Sequence, residues 1–244
     1  MLILALDTST RTGSVALARD GVLLHAADGG AERLHVERLP SVLTDVLSAH
    51  GATLADVDRL AVLSGPGGFT GLRVGLATIQ GLAFALDRQV FVASTLEILA
   101  LAAHRAVPDA PVVGAWMRGM RGEVFSALYR PAPDTGPSGL GVMLPALVGT
   151  PAEVAEQWVG YVGSADVAVA GDAWPQEADA LRHVLGAGRL HPVDAPPLAG
   201  LLALLAADVR AELVGPHAVA PTYVRRPDAV LLRERAGLTV PETP

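Results

Sequence analysis

The chain contains no cysteine and no lysine. Without thiols there is no disulfide, no thiolate nucleophile and no Cys-ligated metal. Without lysine there is no Schiff base and no amine general base, and all eighteen basic residues are arginine. Long uninterrupted apolar runs are also missing. Although 51% of the residues are hydrophobic, charge or glycine breaks the longest apolar stretches within about 18 residues, too short to span a bilayer. The run Leu2 to Leu6 ends at Asp7 with no basic leader before it. A soluble cytoplasmic protein that does not enter a membrane is therefore expected. The formal net charge of −7 disfavours a polyanion as a direct partner; only a local patch, Arg225, Arg226, Arg233 and Arg235, is suited to touch a phosphate.

Glycine, in contrast, is concentrated in one place. Ser64 to Gly75 holds five glycines between a strand-like stretch, Leu60 to Leu63, and a long apolar helix-like one, Leu72 to Leu86. Glycine loses the most backbone freedom on folding, so such a cluster belongs where the chain turns with positive φ or where another group comes very close. The run is not a Walker A loop, because Gly71 is followed by Leu72 where that motif has Lys. Nor is it a dinucleotide fingerprint, because Thr70 occupies the third Gly position. Two readings remain: a strand-to-helix turn whose free amides hold an anion, or a tight turn with close helix packing.

At 244 residues the chain allows one large domain or two small ones. Leu2 to Asp7, Ser14 to Arg19 and Val22 to Ala27 read as a three-stranded meander, with Asp20-Gly21 as a hairpin turn. Val36, Leu39, Val42, Leu43, Val46 and Leu47 fall at helical spacing, with Gly51 as a stop. A strand at Leu60 to Leu63, the glycine loop, the long helix, a strand at Val90 to Val92 and a helix from Thr95 to about Arg105 follow. Pro108 to Pro111 marks a boundary. Beyond it come strands at Val112 to Met117 and Glu123 to Tyr129, and a Pro/Gly-rich excursion from Pro131 to Gly141, expected on the surface and mobile. A third strand is expected at Val142 to Val148. A capping box at Thr150 to Glu153 then opens a helix to about Val159. A strand at Asp166 to Ala170 and helices at Gln176 to Leu185 and Pro197 to Leu213 complete the order.

The second half thus repeats the first in weaker form. The element order matches a duplicated ribonuclease-H-like/actin-like (ASKHA) α/β fold, with two lobes of mixed sheets flanked by helices. The expected division is an N-terminal lobe over 1–107, a C-terminal lobe over 108–226 with the 197–213 helix packing back on the first, and a tail over 227–244. In that layout the turn Asp7 to Gly13 lies at the cleft. Asp7 then either helps to bind phosphate or metal, or simply satisfies nearby turn amides.

Ile3 to Thr10, His35 to Pro40, Gly65 to Gly75, Gly122 to Phe125 and Pro221 to Arg225 together make the chain resemble the TsaB/YeaZ family. The resemblance implies a partner subunit of the bacterial machinery that makes threonylcarbamoyladenosine at position 37 of tRNA. It would pair with a TsaD-like catalytic subunit, with a TsaE-like ATPase as third component, and reach tRNA only through the complex. A homodimer of the chain alone is also plausible. ATP and Mg²⁺ would belong to the complex, with no cofactor or metal assigned to this subunit. The TsaD relatives hold their metal on a His-x-x-x-His pair; the seven histidines here include no i, i+4 pair. No catalytic residue is therefore assigned.

The candidate cleft comprises Asp7, Thr8, Ser9, Thr10, Gly65, Gly67 and Gly68. The resemblance implies an interface on the first helices of the N-terminal half, formed by His35, Leu39, Val42, Leu43, Val46, Leu47, Leu72, Arg73 and Leu76. Core packing would use the same apolar positions, and His35 also reads as a solvated or capping group. Where the family usually has Asp, this chain has Arg118, in a turn that also carries Arg121. The alternative function is a free-standing ATPase or small-molecule kinase built on Asp7 and the glycine loop. A peptidase has no nucleophile constellation or metal motif to support it.

Overall fold

The computed structural model describes residues 1–29 and 39–224. Seventeen regular elements follow one another: β1 (Leu2–Asp7), β2 (Ser14–Arg19), β3 (Val22–Asp28), α1 (Leu39–Ala49), β4 (Arg59–Leu63), α2 (Phe69–Leu86), β5 (Val90–Ala93), α3 (Thr95–Ala106), β6 (Val112–Arg118), β7 (Val124–Pro131), β8 (Leu140–Gly149), α4 (Pro151–Val162), β9 (Val167–Ala170), α5 (Trp174–Leu185), β10 (Leu190–Val193), α6 (Leu198–Ala206) and β11 (Leu213–Val214).

The strands form two sheets, ordered β11-β5-β4-β1-β2-β3 and β10-β9-β6-β7-β8. In the first, β1 is antiparallel to β2 and parallel to β4, and β5 continues the parallel set. In the second, β6 is antiparallel to β7 and parallel to β9, and β10 continues. Strand for strand, β5-β4-β1-β2-β3 recurs as β10-β9-β6-β7-β8. The fold is a duplicated α/β layout with two mixed sheets flanked by helices, as the element order implied.

The last helix of each half packs on the other half's sheet: α3 lies on β6, β7 and β9, α6 on β1, β2 and β4, and the two helices touch. Both are apolar nearly all round because each is covered by sheet on one side and its counterpart on the other. They build a central core between the sheets. The outer faces of the sheets are closed by α1 and α2 on one side and by α4 and α5 on the other.

Local signals explain most boundaries. Asp20 and Gly21 both take positive φ, 52° and 78°, as the two-residue β2–β3 turn requires. The Thr150 hydroxyl accepts from the Glu153 amide at 3.4 Å, and the Glu153 carboxylate accepts from the Thr150 amide at 2.9 Å.

Several expectations need correction. The helix expected over Pro197 to Leu213 ends at Ala206, because Asp208 accepts from both the amide and the guanidinium of Arg210 and closes a turn. The same contacts pull the Asp208 carboxyl down to about 2. The 131–141 excursion is shorter and better held than expected. β7 runs to Pro131, β8 starts at Leu140, the Ala132 amide donates to the Gly139 carbonyl at 2.7 Å, and the buried Ser138 donates to Glu97 at 2.6 Å. β10 is absent from the sequence reading; it is four residues long, carries Pro192, and survives as an edge strand. By length and composition alone α2 would reach across a bilayer, contrary to the expectation that no segment qualifies. Its inner residues Leu72, Leu76, Ile79 and Ala83 are packed in the core.

Candidate functional site

β1 ends at the buried Asp7, whose carboxylate organises the following turn. One oxygen accepts from the Ser9 amide at 2.8 Å, the Ser9 hydroxyl at 2.7 Å and the Thr10 amide at 3.2 Å. The other accepts from the Thr10 hydroxyl. The Thr95 hydroxyl at the start of α3 donates to Ser9 Oγ at 2.8 Å. Asp7 is thus fully committed to its own turn, the arrangement in which a buried carboxylate is worth most to the fold.

The glycine loop lies directly against this turn. The Gly68 amide donates to the Ser9 carbonyl at 3.0 Å. A Cβ at Gly67 would sit 2.3 Å from the Ser9 carbonyl oxygen, one at Gly71 2.6 Å from the Thr8 carbonyl oxygen, and one at Gly75 1.9 Å from Thr8 Oγ1. The glycines of α2 therefore let a helix lie on the backbone of the β1–β2 turn. Gly65, with φ 106°, faces the chain's C-terminal segment, where its Cβ would meet the Thr222 carbonyl oxygen at 3.1 Å.

Between the lobes opens a cleft of about 570 Å³. Thr8, Ser9, Thr10, Gly67 and Gly68 line one wall and Met117, Arg118, Met120 and Asp172 the other. Asp7 borders an adjoining cavity of about 350 Å³ shared with Asp28, Asp172 and Asp194. Of the cleft residues expected from the sequence, Thr8, Ser9, Thr10, Gly67 and Gly68 line the cleft, Asp7 borders only the adjoining cavity, and Gly65 lines neither. Sequence reasoning missed Asp172, which accepts from the Arg118 amide at 2.8 Å. The signal was available in the duplication: Gly171-Asp172 follows β9 as Ser64-Gly65 follows β4, and at Gly171, with φ 146°, a Cβ would lie 2.2 Å from the Trp116 carbonyl oxygen. Among the described residues no group of three acidic or histidine side chains is placed to hold a metal.

The positions expected at an interface are mostly interior. Leu39, Leu43, Val46, Leu47, Leu72 and Leu76 are buried against the first sheet, and Val42 is half-buried. Of these positions Arg73 alone is exposed among the described residues; His35 lies outside them. The surface of α2 is formed instead by Phe69, Thr70, Arg73, Ala77, Gly81, Phe84 and Ala85.

Comparison with known proteins decides the family. YeaZ from Pseudomonas aeruginosa superposes over 91% of this chain and 99% of its own, with a TM-score of 0.73 and 33% identity. The chain belongs to the TsaB/YeaZ family. A second Pseudomonas aeruginosa structure, described as an uncharacterized protein with similarity to peptidase YEAZ, aligns over 92% of this chain and 99% of its own, with a TM-score of 0.75 and 34% identity. In sequence, the Escherichia coli tRNA threonylcarbamoyladenosine biosynthesis protein TsaB is 38% identical over 130 residues, 53% of this chain and 55% of that protein. Its Haemophilus influenzae counterpart is 40% identical over the same length. The chain thus spans about half the length of the curated TsaB relatives it matches. Residues 22–142 also match the family model described as TsaD, tRNA N6-adenosine threonylcarbamoyltransferase. The structural likeness to YeaZ thus extends over both lobes, whereas the match to the transferase family model covers residues 22–142.

Proposed function

We propose that the chain is a non-catalytic partner subunit of the machinery that forms N6-threonylcarbamoyladenosine at position 37 of tRNA, working in the cytoplasm by holding a TsaD-like catalytic subunit in its active form. The observation that carries this reading is the two-lobe likeness to YeaZ. It is supported by a cleft whose one fully buried carboxylate, Asp7, is spent on its own turn. In this reading a TsaE-like ATPase joins as third component, tRNA is met only through the complex, and the chain alone forms a homodimer through the face the catalytic subunit would cover.

Within that reading, the buried leucines of α1 and α2 set the angle and rigidity of the two helices, and their outward residues make the contact. Val42, Phe69, Arg73, Ala77 and Phe84 are assigned to this surface; His35, expected there from the sequence, lies outside the described residues. The test is co-purification with the TsaD-like protein of the same organism, read by light scattering. Phe84→Glu is the interface variant, because Phe84 is 70% exposed while Leu43 is core. A stoichiometric heterodimer lost in the variant is the expected result. Threonylcarbamoyl transfer by the chain alone, or no association at all, would sink the proposal. The cleft volume favours the second reading, an ATPase or kinase; micromolar ATP binding with turnover by the isolated chain would raise it to first place.

A further inference from the structure

The exposed face of α2 carries one positive charge in an otherwise uncharged surface. Thr70, Ala77, Gly81, Phe84 and Ala85 are neutral, and Arg73 stands among them. Its side chain is held in place: the guanidinium carbon lies 3.9 Å from the Phe69 ring centre and 6.0 Å from that of Tyr223, and Nε donates to the Tyr223 hydroxyl at 3.0 Å. Phe69 and Tyr223 stack with centres 6.2 Å apart, yet remain 53% and 51% exposed. Tyr223 is not on a loose end. Its segment is fixed by β11 on β5, by the Gln80 amide donating to the Pro216 and Val219 carbonyls at 3.1 and 3.0 Å, and by the Thr222 amide donating to Ser64 at 2.7 Å. Among the described residues no carboxylate pairs with Arg73.

We propose that Arg73 is a preset receptor for a single carboxylate of the TsaD-like partner, with Phe69 and Tyr223 as positioning residues; the inference rests on the partner reading above. An apolar surface laid over α2 would strand the guanidinium without an acceptor, an arrangement that costs more than it gains. A phosphate chain would need several cations, whereas among the described residues this face offers one, and the chain carries −7. One carboxylate flanked by apolar side chains answers both features, since the two terminal nitrogens present a fork suited to bidentate pairing. Holding the arginine in advance reduces the rotamer freedom lost on association.

The test is the dissociation constant and salt dependence of the complex with the TsaD-like protein, measured for wild type, Arg73→Gln, Arg73→Lys and Tyr223→Phe, with Arg182→Gln as a remote charge control. Loss of a charge-assisted pair predicts about tenfold to hundredfold weaker binding for Arg73→Gln, with a shallower salt dependence. Arg73→Lys should fall in between. Tyr223→Phe, which keeps the ring and the fold, should weaken binding a few-fold and serves if Arg73→Gln melts early by circular dichroism. Unchanged or tighter binding by a folded Arg73→Gln overturns the carboxylate receptor and leaves the partner reading standing. Equal weakening by Arg182→Gln overturns it as well. Failure of wild type to associate overturns the partner reading and this inference with it. Loss confined to a homodimer assigns the face to a second copy and refutes the proposal.

Discussion

Within α2, Gly75 and Gly81 offer the same substitution in opposite surroundings. Replacing glycine by alanine in a helix interior is intrinsically favourable by about 1 kcal/mol. At Gly81 an added Cβ meets nothing within 4 Å, so Gly81→Ala should express that gain and raise the melting temperature of the isolated chain by about 2–4 °C. At Gly75 the same Cβ would lie 1.9 Å from Thr8 Oγ1 and 3.0 Å from both Thr8 Cβ and Cγ2. Turning the Thr8 side chain cannot clear it, because Cβ itself is too near. Either α2 retreats from the β1–β2 turn or the turn deforms, at an overpacking cost of about 1–3 kcal/mol, and more where neither can relax. Subtracting the helix gain leaves Gly75→Ala less stable by up to about 2 kcal/mol. Circular-dichroism melts and urea titrations of the two variants beside wild type provide the assay. A Gly75→Ala protein that melts at or above wild type would refute the claim that the glycines exist to seat α2 on this turn.

Three further outcomes are expected. Asp7→Asn places an amide where four donors converge on the carboxylate, so stability should fall by about 2–4 kcal/mol; an unchanged urea midpoint would show that the turn does not depend on the charge. Trp158→Phe removes the 3.0 Å bond from the indole to Ser126, a hydroxyl with no solvent exposure, costing about 1–3 kcal/mol; adding Ser126→Ala should recover part of that loss, and strict additivity would deny the pairing. Asp208 should titrate near 2 by NMR, below its ordinary 3.8, because Arg210 donates to it. Its folded pKa is depressed, so its contribution to stability is present above pH 3.8 and lost as pH falls toward 2. Arg210→Gln should return the titration toward 3.8, and no movement would discount the pairing.

How much of this was legible in the sequence depended on whether a local signal agreed with its tertiary surroundings. Asp20-Gly21 and the Thr150–Glu153 capping box each specify their element alone, and each formed where expected. β10 did not announce itself, since a four-residue edge strand with Pro192 has neither period nor length. The 197–213 helix was drawn too long because apolar content continues past Ala206, while the Asp208–Arg210 turn that ends it depends on a local ion pair. At the site, the glycine cluster declared a close approach but not what approached; the answer, the backbone of Thr8 and Ser9, comes from a strand some sixty residues earlier. The residues expected at an interface are largely interior for a related reason. Helical periodicity identifies an apolar face, and in α1 and α2 that face is consumed by the first sheet. What α2 leaves outside is signalled weakly: two phenylalanines, small residues and one arginine. Arg73 acquires its meaning only through Tyr223, which the fold returns to the start of α2 from 150 residues away. A surface assembled from Tyr223 and the start of α2 has no sequence period, so if the proposed partner docks there, Tyr223→Phe, remote from α2 in sequence, should nonetheless weaken its binding.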